Sequence, residues 1–260
     1  MINSRIQIAL ISGLLIALGV GLTLYKAVSL NLPLVPGEYR EVWTVESKTS
    51  FIPTDGPVNV GLRLPASLAG WTILDEHFAS SGFGFSIISE PDNTSTARWT
   101  RQSLDHATTL YYKMQIYRAS VDRQLPALEV EMPIKPLLEL DQQAAMDRVV
   151  QRIRQQSSDR ESFTLLLLQE LLRESQDQDI EFLLSSYGND SLALILHSLA
   201  SADIPAHELR GIELEDGRRR QTLSSLLEVY SDDKWIIADP KTARLGLPDN
   251  FFIWQRGDGA

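Results

Sequence analysis

The spacing of hydrophobic positions changes three times along the chain, and each change marks a different kind of element. Residues 6–25 read IQIALISGLLIALGVGLTLY, twenty positions without a charge, in which Gln7, Ser12 and Thr23 are the clearly polar ones. At a rise of ~1.5 Å per residue such a helix is about 30 Å long, the thickness of a bilayer core. Arg5 and Lys26 bracket the run, and Tyr25 sits where an interfacial aromatic belongs. A buried soluble helix would show a polar face. A cleaved signal peptide has a shorter apolar core and a small-x-small site, for which Ala27-Val28-Ser29 is a weak match. The pattern therefore predicts an uncleaved signal anchor over 1–28, a single-pass transmembrane helix. Arg5 and the terminal amine lie on one side; Lys26, then Glu38, Arg40 and Glu41, lie on the other. The positive-inside rule then puts the N-terminus in the cytoplasm and the bulk outside it.

From about 38 to 130 the period is close to two. Trp43, Val45, Phe51, Val58, Val60 and Leu62 recur beside polar neighbours, with a turn at Pro53–Pro57. Further strand-like runs fall at 71–74, 83–88, 96–101 and 108–117; in the last, Leu110, Tyr112, Met114 and Ile116 alternate with polar or amphipathic residues. Gly82-Phe83-Gly84 and Pro91-Asp92-Asn93 read as turns. Short strands at this spacing predict a β-sandwich over 29–136, including a Pro-punctuated entry (29–36) and a Pro-rich connection (124–136).

Beyond 137 the period becomes helical. Asp141 is the expected cap of a helix carrying Met146, Val149, Val150 and Ile153 on one face, and Ser158-x-x-Glu161 the expected capping box of a second helix through 165–172. Helices near 180–184 and 191–202 follow, then strands at 207–214, 222–230 and 234–239, with Ser231–Lys234 as a turn. This unit, 137–260, is expected to be α+β: helices followed by an antiparallel sheet.

Composition narrows the chemistry. Of 260 residues, 24 are Lys or Arg and 34 Asp or Glu, a formal net charge of −10, which argues against binding nucleic acid. With zero Cys there is no disulfide scaffold, thiolate metal site or cysteine nucleophile. The four His (His77, His106, His197, His207) never pair at i, i+4, so neither a metal nor a cofactor is expected. His197, inside an apolar helix, reads as a packing residue. Ser231-x-x-Lys234 formally matches a serine–lysine pattern but is better explained as turn chemistry. Arg218-Arg219-Arg220, in an expected hairpin loop after Glu213, Glu215 and Asp216, reads as solvated.

The order of features in 180–242 resembles the core of the transglutaminase-like, papain-related superfamily. A Phe-Leu helix leads to Gly188-Asn189-Asp190-Ser191 and a core helix. An Asp203-Ile204-Pro205 turn follows, then Leu227-Glu228-Val229-Tyr230, and Lys234-Trp235 runs to Asp239-Pro240. The resemblance implies a nucleophilic Cys at the helix start, a His on the following strands and an orienting Asp. Carried over from the left, the nucleophile falls on Asp190; counted back from Ile204-Pro205, it falls nearer Gly188. Counting four back from Glu228 puts the His at Ser224, so of the three groups only Asp239 survives. Ser191 is a substitute nucleophile without a base, and reads more simply as a helix-start hydroxyl.

With the anchor and the stretch 32–63, this combination resembles a specific family: inactive transglutaminase-like domains fused to membrane helices in bacterial envelope proteins. The resemblance implies an inner-membrane protein with a periplasmic bulk and a non-catalytic cleft. Asp190, Ser191, Ser224 and Asp239 would line it, and it would take a peptide or a glutamate-bearing envelope fragment. An ATP-grasp glutamate-ligase-like protein and a retropepsin-like protease are the partners it implies. Members usually continue into seven transmembrane helices, and this chain stops at Ala260. The alternatives are a structural spacer holding partners at the membrane and, behind it, a hydrolase using Ser191.

Overall fold

A computed structural model describes the backbone of residues 4–30, 41–54, 56–65, 70–89, 94–119, 129–173, 177–188 and 190–257, with the side chains of all but 4–10 and 26–30. The entry at 29–36, the turn Pro91–Asn93 and the first part of the connection, 124–128, lie outside the fully described residues. The chain divides into two units, Met1–Glu41 and Val42–Ala260.

The first unit holds α1 (Ser4–Leu30), so the apolar run 6–25 is helical throughout. Its described side chains are exposed, Leu14, Leu15 and Ile16 among them. Thr23 Oγ1 donates to Gly19 O at 2.8 Å, which satisfies a hydroxyl inside an apolar helix. Among the described residues no helix is long and apolar enough to cross a membrane.

The second unit opens with six strands: β1 (Val42–Phe51), β2 (Val58–Arg63), β3 (Trp71–Ala79), β4 (Gly84–Ser89), β5 (Ser95–Arg101) and β6 (Thr108–Arg118). They form two three-stranded antiparallel sheets, β1-β6-β3 and β2-β5-β4. The alternation in β6 has its expected consequence: Leu110, Tyr112, Met114 and Ile116 are all buried, and they share one cluster with Val45, Trp71, Ala97 and Trp99. β3 runs five residues past the expected end at Leu74. The register slips between Ile73 and Asp75, so Leu74 is an extra, exposed residue and pairing resumes beyond it. A bulge breaks the alternation that a period-two reading relies on.

Four helices follow: α2 (Leu140–Gln156), α3 (Arg160–Leu172), α4 (Gln178–Ser186) and α5 (Ser191–Ser201). Two expected caps are displaced. α2 is capped at Glu139, whose N–H donates to Gln142 Oε1 at 3.3 Å, and Asp141 lies in the first turn. α3 is capped by Asp159, not Ser158: Ser162 N–H donates to Asp159 Oδ1 at 2.7 Å and Asp159 N–H donates back to Ser162 Oγ at 3.1 Å. The box is shifted by one because Asp159 holds the extended φ of −150° that a cap requires.

The last strands are β7 (Ala206–Glu213), β8 (Ser224–Ser231), β9 (Lys234–Asp239), β10 (Arg244–Leu245) and β11 (Phe251–Arg256), an antiparallel sheet in the order β10-β9-β8-β7-β11. The β8–β9 turn is as expected, with Asp232 and Asp233 at φ 49° and 60°, a left-handed pair that matches hairpin twist. β10 and β11 were not expected. β11 reads FFIWQR because it is buried on both faces: Phe251 and Ile253 join a cluster with Leu209 and Leu226, while Phe252 and Trp254 join the β1–β6 cluster. Leu227 and Val229 of β8, Ala238 of β9 and the helices form the third cluster.

β11 thus ties the sheets together. Trp71 Nε1 donates to Phe251 O at 3.0 Å, and Trp254 Nε1 donates to Arg63 O at 2.9 Å. The register slips between Ile253 and Gln255, and the Trp254 indole lies with Phe252 in the cluster of the six-strand half. Facing β11, Gly211 has no room for a side chain: a Cβ there would lie 2.3 Å from both Phe251 Cε1 and Phe252 O. The expected boundary at 136/137 falls between β6 and α2, within this one compact unit.

Candidate functional site

The window Gly188–Ser191 precedes α5. Asp190 caps that helix, its carboxylate accepting from Ala193 N–H at 3.0 Å, and Ser191 is the exposed first helical residue. The Asp190 carboxylate therefore serves the helix start, where unpaired N–H groups need acceptors. At the other end of α5, Asp203 takes φ 58° and Ile204 N–H bonds Leu199 O at 2.9 Å, which turns the chain into β7 at Pro205.

Ser224 opens β8 opposite Gly211, and Asp239 ends β9 opposite Arg244. Lys241 links the two positions. Its backbone N–H donates to Asp239 Oδ1 at 2.8 Å, and its Nζ donates to Ser224 Oγ and to Glu213 Oε1, each at 3.1 Å. The other oxygen of Asp239 accepts from Thr242 Oγ1 at 2.7 Å. Both carboxylate oxygens of Asp239 thus hold its own turn. The hydrogen bond from Lys241 is the leading cause that keeps the Glu213 carboxyl below the usual range, against the effect of burial. An ammonium held between a hydroxyl and a carboxylate only donates, and the Glu213 carboxylate, which the Ser224 side chain also helps to hold below the usual range, is bound by Lys241. The structure joins Ser224 and Asp239 through Lys241; Asp190 and Ser191 share no hydrogen bond with either. Lys241 and Glu213 were missed in the sequence because their pairing joins residues 28 positions apart.

Beside this turn lies an open depression of about 260 Å³, lined by Gln169, Leu172 and Arg173 at the end of α3 and by Thr242 and Ala243. Arg173 Nη1 donates to Glu170 Oε1 at 3.1 Å, so a cationic group stands at the rim beside an apolar Leu172 and a hydroxyl.

The opposite end of β8 carries a buried charge cluster. Glu228 accepts from Arg256 Nε at 2.7 Å and Nη2 at 2.6 Å, a bidentate pair, and lies 2.6 Å from His207 Nε2. Burial acts to raise the Glu228 carboxyl, but bonds from His207 and Arg256 outweigh it and hold the group below the usual range. His197 is half-buried with Nδ1 2.7 Å from Tyr187 Oη, a satisfied packing residue. His77 and His106 are exposed, each 2.8 Å from a neighbouring aspartate. Ser231 and Lys234 face each other across the β8–β9 turn, with Ser231 fully buried.

Comparison with known proteins places this geometry. A family model described as inactive transglutaminase fused to 7 transmembrane helices matches residues 25–187. The match ends at Tyr187, before the Gly188–Ser191 window. Among solved structures, a "Putative Cysteine Protease from Cytophaga hutchinsonii" is similar with a TM-score of 0.50 at 13% identity, covering 84% of this chain and 81% of that one. That likeness is one of fold, helices and an antiparallel sheet in a similar arrangement. No curated protein matches.

Proposed function

This chain belongs to the family of inactive transglutaminases fused to 7 transmembrane helices, and from that premise we propose that it is a membrane-anchored, extracytoplasmic module that binds without turnover. In this reading residues 1–28 span the inner membrane once, with the N-terminus in the cytoplasm. Residues 29–136 form a β-sandwich and 137–260 a degenerate transglutaminase-like domain in the periplasm. Asp190, Ser191, Ser224 and Asp239 occupy the positions where the active relatives would hold their reactive groups. The zero-Cys chain, the capping role of Asp190 and the Lys241 bond to Ser224 support this assignment. An ATP-grasp ligase-like protein and a retropepsin-like protease enter as partners on family resemblance alone.

The observation that carries the binding reading is the depression against the Asp239 turn. At about 260 Å³ it has room for one side chain, against roughly 300–1,000 Å³ for a whole small-molecule site. Arg173 at its rim favours a carboxylate. The proposed ligand is therefore a peptide or envelope fragment carrying glutamate.

The test is fluorescence anisotropy of a labelled single-glutamate peptide with the full chain in detergent micelles. The glutamate peptide is expected to bind about tenfold more tightly than its glutamine counterpart, a difference of ~1.4 kcal/mol. Arg173→Glu should remove that preference, and Gln169→Trp should block binding by filling the depression. Equal, weak binding of both peptides would favour a structural spacer. Turnover of protease or transglutaminase substrates that disappears on Ser191→Ala or Asp239→Ala would overturn the proposal.

A further inference from the structure

The sheets of the second unit present six edge strands, and five carry protection. β1 has Glu46 and Lys48, β2 has Arg63, β10 has Arg244 and β11 has the bulge between Ile253 and Gln255. β3 has Asp75, Glu76 and His77, together with the bulge at Leu74. Charges and bulges of this kind are what keep an open row of backbone N–H and C=O groups from pairing with another chain. β4 has neither. Its sequence is GFSIIS, its pairing with β5 is regular over all six residues, and the preceding residues 80–83 are uncharged. Among the described residues no strand covers its outer side.

The side chains on this edge are apolar and partly uncovered. Phe85 lies opposite Trp99 and Ile87 opposite Ala97, so both point to the face that carries the buried cluster. Yet they are 43% and 50% exposed. Phe85 packs its ring on Phe78 and Trp99, at centroid distances of 4.9 and 5.4 Å, and its outward side is open.

We propose that β4 is the edge through which two copies of this chain pair, antiparallel about a two-fold axis at Ser86, to make one six-stranded sheet. The occupant is argued from the strand itself. Two chains of net charge −10 repel wherever their acidic surfaces meet, whereas β4 itself carries no charged residue and the side chain across from Ser86 is a cation, Arg98. The pattern is also self-complementary. With Ser86 opposite Ser86, Phe85 of each copy faces Ile87 of the other, an aromatic–β-branched cross-strand pair, and Gly84 faces Ile88. Inward positions stay inward, so the apolar face of each sheet continues into the other. A six-residue strand pair is a small contact, so the dimer is expected to be concentration-dependent.

The absence of cysteine makes the test direct, since one introduced thiol is unique. In Ser86→Cys the two Cα atoms would lie roughly 4.5–5.5 Å apart, within disulfide reach. Mild oxidation of the full chain in detergent micelles is expected to give a covalent dimer. Ile88→Cys, which faces Gly84 rather than itself, and Asn59→Cys on the β2 edge are expected to give about tenfold less. Adding Ile87→Lys to Ser86→Cys should cut the yield by about tenfold as well, with unchanged tryptophan fluorescence reporting that the sheet is intact. A Ser86→Cys yield no higher than that of Asn59→Cys overturns the pairing. Equal yields from Ser86→Cys and Ile88→Cys overturn the register.

Discussion

Arg256→Met tests whether the Glu228 cluster holds the sheet together. The substitution keeps most of the stem and removes two hydrogen bonds, of 2.7 and 2.6 Å, from a carboxylate whose side chain is 1% exposed. His207 remains as a partner at 2.6 Å. Stranding one member of a buried pair costs about 3–5 kcal/mol, and with His207 in place the expected loss is about 3 kcal/mol. In a folded unit of this size that is a fall in Tm of roughly 6–12 °C. Replacing both members, Arg256→Met with Glu228→Leu, should be about 2 kcal/mol less damaging than Arg256→Met alone, since no carboxylate is then left buried without its partner. The assay is urea unfolding of the full chain followed by tryptophan fluorescence. A pH series adds a signed check. In the wild type the folded carboxyl titrates below its unfolded value of ~4.3. Its contribution is therefore complete above that pH and is lost as pH falls through the folded value. In Arg256→Met burial dominates and the folded value rises, so the deficit shrinks on acidification. A single variant within ~0.5 kcal/mol of the wild type, or a double variant no better than the single, would refute the reasoning.

Two further outcomes are expected. Gly211→Ala places a methyl 2.3 Å from Phe251 Cε1 and Phe252 O and must push β11 away; a loss of about 3 kcal/mol in urea unfolding, with a shift in tryptophan emission as Trp71 and Trp254 lose their carbonyls, is the expected reading. Burial holds the His197 pKa below its ordinary value against the pull of Asp190, so the stability it confers is present above about pH 6.5 and lost as pH falls through the folded value. His197→Gln should flatten that part of the stability–pH curve, and an unchanged curve would count against the assignment.

Much of the architecture is legible in local pattern. The alternation of Leu110–Ile116 and the 3.6-residue spacing of Met146–Ile153 report which face meets the core, because one element's period is enough to say so. Caps were legible only to within two residues: α2 is capped at Glu139 rather than Asp141, and at α3 Ser158 and Asp159 are chemically interchangeable, so backbone φ decides between them. Trp254, Leu74 and β11 were not legible: bulges and doubly buried strands erase the alternation that identifies a strand. At the site, motif order singled out Asp190 and Ser224. Lys241 and Glu213 were not, because a salt bridge between β7 and the β9–β10 turn leaves no local trace.

Local pattern was enough for the class of this protein: an N-terminal helix with a charge-free run over 6–25, a strand-rich stretch, a helical stretch and a chain without any thiol. Those properties are sums over local residues and hold in any arrangement. Only the tertiary structure decided that β11 joins both halves through Trp71 and Trp254, that Glu228 is buried between His207 and Arg256, and that β4 is the edge without a guard. Each depends on which distant strands become neighbours, and that is set by how all the apolar faces are buried at once.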